Sequence, residues 1–268
     1  MKAYFSVFRM RLINGMQYRV AAVAGVATQF FWGFMFIMIY EAFYQSAVKT
    51  PPIELSQLVS YIWLQQAFLV FIVLWYRDGE IFNLITSGNI AYELCRPFRL
   101  YEFWYAKLLA QRFSGALLRC FPILVIAFLM PEPYGISMPP NFAAFVLFLL
   151  TLMLGLLVLV SISMFIYISV FVTMSPVGSL LMIGIAGDFL AGGIIPVPLM
   201  PVWLQKISYA LPFRLAADLP FRVYSGNIPV SGAFAGIIIQ IIWLAVLILL
   251  GKLAMNKVLR HIVVDSVK

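Results

Sequence analysis

Six times between Val20 and Leu253 the sequence runs through about 20 residues with few charges, the length a helix needs to cross a bilayer. The stretches are 20–40, 58–76, 106–130, 142–173, 176–195 and 233–253. In lipid only a helix or a closed barrel pairs every backbone N–H and C=O, and apolar runs this long specify helices. Hydrophobic residues are 64% of the 268 and charged residues 10%, where a soluble domain has roughly half and a quarter. A water-soluble fold could not hide that much apolar surface, so the expected class is all-α integral membrane with six transmembrane helices. The connecting pieces, the largest being 77–105 and 196–232, are too short to hold a separate core.

Lys and Arg give the orientation, because cytoplasmic loops retain them. Counted on alternate sides, one side holds Lys2, Arg9, Arg11, Arg19, Arg77, Arg96, Arg99, Lys107, Arg112, Arg119, Lys252, Lys257, Arg260 and Lys268, fourteen of the 18. The other holds Lys49, Lys206, Arg214 and Arg222. Both ends and the 77–105 loop are therefore expected in the cytoplasm. The net charge of +8 does not point to nucleic acid, since the basic residues flank apolar segments and form no stripe on a soluble domain.

Residues 1–18 lack the charged cap and apolar core of a leader peptide. Tyr4, Phe5, Phe8, Leu12 and Met16 fall roughly on one helical face, which reads as an amphipathic helix on the membrane surface. A plain cytoplasmic extension of the first span is the alternative.

Two connecting segments differ from ordinary loops. The inner one mixes charges of both signs with large apolar residues, and Gly88-Asn89 and Pro97 break it into short helices. Such amphipathic pieces suit the docking of a cytoplasmic partner, and equally a loop resting on lipid headgroups. On the other side, Gly184, Gly187, Gly192 and Gly193 allow close approach or breakage of span five, and Pro196, Pro198 and Pro201 forbid its continuation. Short helices are expected at 202–209 and 213–223, in a segment that dips back as a re-entrant hairpin or lies as an ordinary outer loop.

Asp188 lies roughly 18 Å and Arg119 roughly 21 Å along their spans from the inner side, counting the rise of a helix from Pro176 and Tyr105. A charge at that depth is costly alone, so the two are expected to pair. Cys95 in the inner loop and Cys120 in an apolar helix offer neither a disulfide nor a zinc site. The one histidine, His261, is in the tail, so a histidine triad or HExxH site within the membrane is excluded. A GxxxxGK[ST] phosphate loop is also missing.

The inner run ITSGNIAYELCRPFRLYEFWYAKLLAQR with its Arg96-Pro97 pair resembles that of bacterial permease subunits of ABC-2-type ATP-binding-cassette exporters. The outer motifs Gly192-Gly193-Ile194-Ile195-Pro196, Pro201-Val202-Trp203-Leu204 and Leu211-Pro212 resemble the same family, and the likeness covers essentially the whole chain. It implies a chain of the bacterial plasma membrane paired with a second permease, identical or related. Cytoplasmic ATPase subunits would hold ATP and Mg, none of it bound by this chain, and would dock on the N-terminal helix and the inner loop. The implied loop contacts are Glu80, Ile81, Phe82, Leu84, Ile85, Glu93, Arg96 and Pro97. Gly192, Gly193, Pro196, Pro198, Pro201 and Trp203 would form an outer gate, and Phe30, Phe34, Met38, Trp63, Gln66 and Phe189 an apolar route for an amphipathic or lipid-like substrate. A self-contained secondary transporter, in which matching helices are often broken, fits less well, since span two has no Gly or Pro break to match span five. An intramembrane enzyme or an assembly factor is a third reading, and the absence of an acid–base or metal cluster counts against the enzyme.

Overall fold

A computed structural model of the chain describes residues 2–17, 19–47 and 50–265, and all regular structure there is helical. Lys49 and Lys268, and the side chains of Lys2, Arg19 and His261, lie outside the described residues. The helices are α1 (Lys2–Gly15), α2 (Arg19–Gln45), α3 (Leu55–Ala67), α4 (Leu69–Ile72), α5 (Gly79–Thr86), α6 (Ile90–Leu94) and α7 (Leu100–Leu129). They continue as α8 (Phe142–Thr173), α9 (Pro176–Leu180), α10 (Ala186–Leu190), α11 (Val202–Ala210), α12 (Asp218–Tyr224) and α13 (Val230–Asp265).

α8 is apolar on every side, and such a helix belongs inside a bundle. Its most apolar 18-residue window is 61% buried, against 22% for the corresponding windows of α2 and α13. Asn141 opens it by accepting the Ala144 N–H at 2.7 Å. α13, α12, α7, α5, α4 and α9 pack around it. Four helical stretches are long and apolar enough to cross a membrane: Ala22–Gln45, Leu100–Leu129, Phe142–Thr173 and Val230–Arg260.

The second and fifth apolar stretches are not continuous helices. Instead of one helix over 58–76, α3 ends at Phe68, α4 adds a single turn, and Val73 is already extended (φ −91°, ψ 139°). The fifth ends at Leu190, short of Ile195, and widens into a π-helical turn over Leu181–Ile185. π turns inside α-helices locally loosen the ladder.

The N-terminal helix packs against α7. Tyr4, Val7, Phe8, Arg11, Leu12 and Gly15 are its half-buried positions, spaced as one helical stripe. Gly15 meets Ser114 so closely that an added Cβ would lie 2.1 Å from its Oγ. Tyr4, Phe8 and Leu12 of the expected amphipathic face do turn the same way. Phe5 and Met16, 70% and 37% exposed, do not.

Candidate functional site

The inner loop is built on Asp78. Its Oδ1 accepts the Glu80 and Ile81 N–H groups at 2.9 and 3.4 Å, capping α5. The Asp78 N–H donates to Tyr167 Oη at 2.7 Å, which ties the start of α5 to the C-terminal part of α8. α5 then turns Ile81, Phe82 and Ile85 into the core, with the Phe82 ring 4.6 Å from that of Tyr167.

Charged side chains lock this loop to its neighbours. Glu93 of α6, 7% exposed, accepts from Trp104 Nε1 at 2.6 Å and from Lys107 Nζ at 3.0 Å, both on α7. Lys107 also stands 3.7 Å from Glu80, Arg11 of α1 pairs with Glu80, and Arg11 lies 3.6 Å from Asp78. Buried ions are costly unless each finds a partner, and here they link α1, α5, α6 and α7 into one block. Burial acts to raise the Glu80 carboxyl, but Lys107 and Arg11 outweigh it and hold the group below its usual range.

The same geometry sorts the loop residues. Ile81, Phe82, Ile85 and Glu93 face inward and hold the loop in place. Arg96 and Pro97 are exposed, Leu84 is half-buried, and Glu80 is shared between the lattice and the surface. Tyr92, 73% exposed beside them, was not expected, because the apolar Ile90, Ala91 and Leu94 around it give no sign of which side chain is left bare.

Between the loop and the core, two ionisable residues close the end of the broken α3–α4 segment. Arg112 of α7, 1% exposed, donates from Nη1 to the Val70 and Val73 carbonyls at 2.7 and 2.8 Å. Its Nη2 donates to the Tyr76 carbonyl and to Ser163 Oγ, both at 3.2 Å. Asp188 of α10 takes the Leu74 N–H at 2.9 Å. The expected Arg119–Asp188 pair is not among the ion pairs of the described residues: Asp188 holds the Leu74 N–H, and it is Arg112 that serves the carbonyls of the same segment. Arg119 points to α2, where a Cβ added at Gly25 would lie 2.9 Å from its Cζ.

On the far side, three carbonyls freed by the end of α10 each find a donor. Tyr61 Oη donates to Gly192 O at 3.1 Å, Gln65 Nε2 to Gly193 O, and Tyr40 Oη to Ile194 O at 3.0 Å. Gly192 has φ +84°, a left-handed conformation that costs any other residue steric strain. Pro196 and Pro198 are buried, Pro201 precedes α11, and Trp203 is 65% exposed. The chain then turns back onto the middle of α8: a Cβ at Gly155 would meet Leu215 O at 2.7 Å. Gln240 of α13 clamps this turn by donating to Thr151 O at 2.8 Å and Leu215 O at 2.9 Å. Asp218, fully buried, pairs with Arg222 at 3.3 Å, and Arg222 donates to Tyr209 Oη at 2.9 Å.

A family model described as ABC-2 type transporter matches residues 7–223. The chain belongs to this family. No curated protein matches it. In this ABC-2 chain the matched region holds the 77–105 loop and the 196–232 segment as far as Val223 in α12, and ends before α13. Membership makes it a multi-pass membrane component of a transporter that works with an ATP-binding subunit. The 58–76 stretch carries no Gly or Pro, yet its helix is broken at Phe68 and ends by Val73, so the expected lack of a break there no longer counts against a self-contained transporter.

The residues expected to line a route in this ABC-2 chain are placed differently from one another. Trp63 is fully buried, with the Phe30 and Phe34 rings 5.7 and 5.3 Å away, and its Nε1 donates to Tyr134 O at 2.7 Å. Gln66 is buried against Gly33, and Phe189 packs on the small cluster of Val197, Met200 and Leu204. Met38 is 66% exposed.

Proposed function

We propose that this chain is the permease subunit of an ATP-driven exporter, moving an amphipathic or lipid-like molecule with energy from separate cytoplasmic ATPase subunits. The observation that carries the reading is the rigid attachment of the inner loop. α5 and α6 leave Leu84, Tyr92, Arg96 and Pro97 at or near the surface, while Glu93, Lys107, Glu80, Arg11 and Asp78 fasten the loop to α1 and α7. A push on that surface reaches α7 and α1 directly and cannot be absorbed by a slack loop.

The reading has six spans, with α3–α4 and α9–α10 as the second and fifth, and both termini in the cytoplasm of a bacterial cell. The 196–224 segment is the re-entrant outer element, and its contact with Gly155, 13 residues into α8, supports a dip of about 20 Å at 1.5 Å per residue. Apolar faces left bare on α2 (Phe31, Met38) and on the fifth span (Met182, Ile185) suit lipid and a second permease, identical or related. ATP and Mg are held by the ATPase and not by this chain.

Purification from the native membrane in mild detergent tests the proposal. An ATPase subunit should accompany the wild-type chain, and its recovery should fall at least about tenfold with Tyr92→Asp and Arg96→Glu combined, as for a lost interface anchor. Substrate transport by the chain alone in liposomes, with no ATPase present, would sink it.

A further inference from the structure

Arg119 is in none of the ion pairs among the described residues. It lines a cavity of about 390 Å³ enclosed by the end of α1, the start of α2, α7 and Tyr76. The other polar groups around the cavity include Arg11, Asn14, Gln111 and Ser114, and among the described residues its lining contains no carboxylate. Arg11 is already neutralised by Glu80 and Asp78, which leaves the Arg119 charge uncompensated. Gly25, six residues or roughly 9 Å along α2, lets the guanidinium lie directly against that helix near its start and not at the depth counted from Tyr105, because a Cβ there would come within 2.9 Å of Cζ.

The surroundings say what kind of anion fits. Arg119 is seven residues beyond Arg112 on α7, and on both helices the neighbouring surface is apolar and bare. Val23 on α2 and Leu117 and Phe121 on α7 are 70%, 51% and 74% exposed. A soluble anion gains nothing from those side chains, whereas an anionic lipid brings a headgroup for the cavity and acyl chains for the apolar flanks. Guanidinium binds phosphate through paired hydrogen bonds, and basic pockets between helices at the cytoplasmic leaflet take up anionic headgroups.

We propose that this cavity binds the phosphate of an anionic membrane phospholipid, with Arg119 as its direct contact and the acyl chains lying over Val23, Leu117 and Phe121. The site rests on the membrane placement of α2 and α7 and is independent of the ATPase partner, so failure to recover an ATPase leaves it standing.

The test uses the full chain purified in a neutral detergent, with thermal unfolding followed during titration by short-chain phosphatidylglycerol, short-chain phosphatidylcholine or inorganic phosphate. Phosphatidylglycerol should raise the unfolding temperature, and Arg119→Gln should weaken its half-saturation by about five- to tenfold, as expected for one cation at a membrane surface. Arg119→Lys should retain part of the effect. Should Arg119→Gln fail to fold, Asn14→Asp places a repelling charge at an exposed position on the cavity wall and should weaken the lipid in the same way. An unchanged half-saturation in the folded variants overturns the site. Equal protection by phosphatidylcholine overturns the role of the anionic headgroup, and equal protection by inorganic phosphate overturns the lipid as its source.

Discussion

The four hydrogen bonds of Arg112 all end on oxygen, and three of those oxygens are carbonyls in or just beyond α4. A planar group with five N–H donors can serve several acceptors that a point charge cannot. Replacing Arg112 with Met leaves these carbonyls in apolar surroundings, and each buried carbonyl left unpaired costs roughly 1–3 kcal/mol. We expect Arg112→Met to destabilise the protein by about 3 kcal/mol or more, and Arg112→Lys to recover only part of that, as read from thermal unfolding in detergent. Equal stability of wild type and Arg112→Met would show that the end of α4 is satisfied in another way. That role could not be read from the sequence. Depth along a helix follows from counting, and it brought Arg119 and Asp188 to similar levels. Which cation is needed depends on where a neighbouring helix unwinds, and nothing in the run from Phe68 to Tyr76 is a Gly or Pro that would announce it.

At the scale of an element, α5 shows how an exposed face and a core face share eight residues. Asp78 at its N-cap and Gly88 after its end, with φ +75°, set the length of this helix, and both signals are visible in the sequence. Its inward and outward faces were less visible, because Ile81, Phe82, Leu84 and Ile85 are all apolar and a short helix has too few turns for periodicity to separate them. The structure separates them through the Tyr167 ring and the charge lattice behind it. Phe82→Ala should therefore cost about 3 kcal/mol, the usual range for emptying a buried aromatic site. Leu84→Ala on the same helix should stay within about 1 kcal/mol, because its side chain is only half-buried. Paired unfolding measurements check this. Similar losses at both positions would mean that α5 is not seated on α8 as described.

At the scale of the molecule, two spans of the proposed six are incomplete as helices. Pro176–Leu190 covers 15 residues, about 22 Å of rise against roughly 30 Å of hydrocarbon. The remainder of that crossing is irregular backbone whose carbonyls are held by Tyr40, Tyr61 and Gln65, while the irregular end of the α3–α4 segment is held by Arg112 and Asp188. Irregular backbone at membrane depth survives only where protein supplies such partners. Both stitched breaks adjoin the end of α10, where Asp188 takes the Leu74 N–H and Gly192 and Gly193, a few residues on, meet Tyr61 and Gln65; the side of the membrane on which the proposed topology puts the 77–105 loop can be tested with the native cysteines. Cys95 is exposed within the 77–105 loop and Cys120 is buried. In intact cells a membrane-impermeant maleimide should leave the wild-type chain unlabelled, and permeabilisation should allow one label, at Cys95. Lys206→Cys on exposed α11, placed in a Cys95→Ser background, should be labelled in intact cells without permeabilisation. Labelling of Cys95 from outside would reverse the orientation drawn from the fourteen-to-four division of Lys and Arg, and would put the Tyr92–Arg96 surface out of reach of any cytoplasmic ATPase.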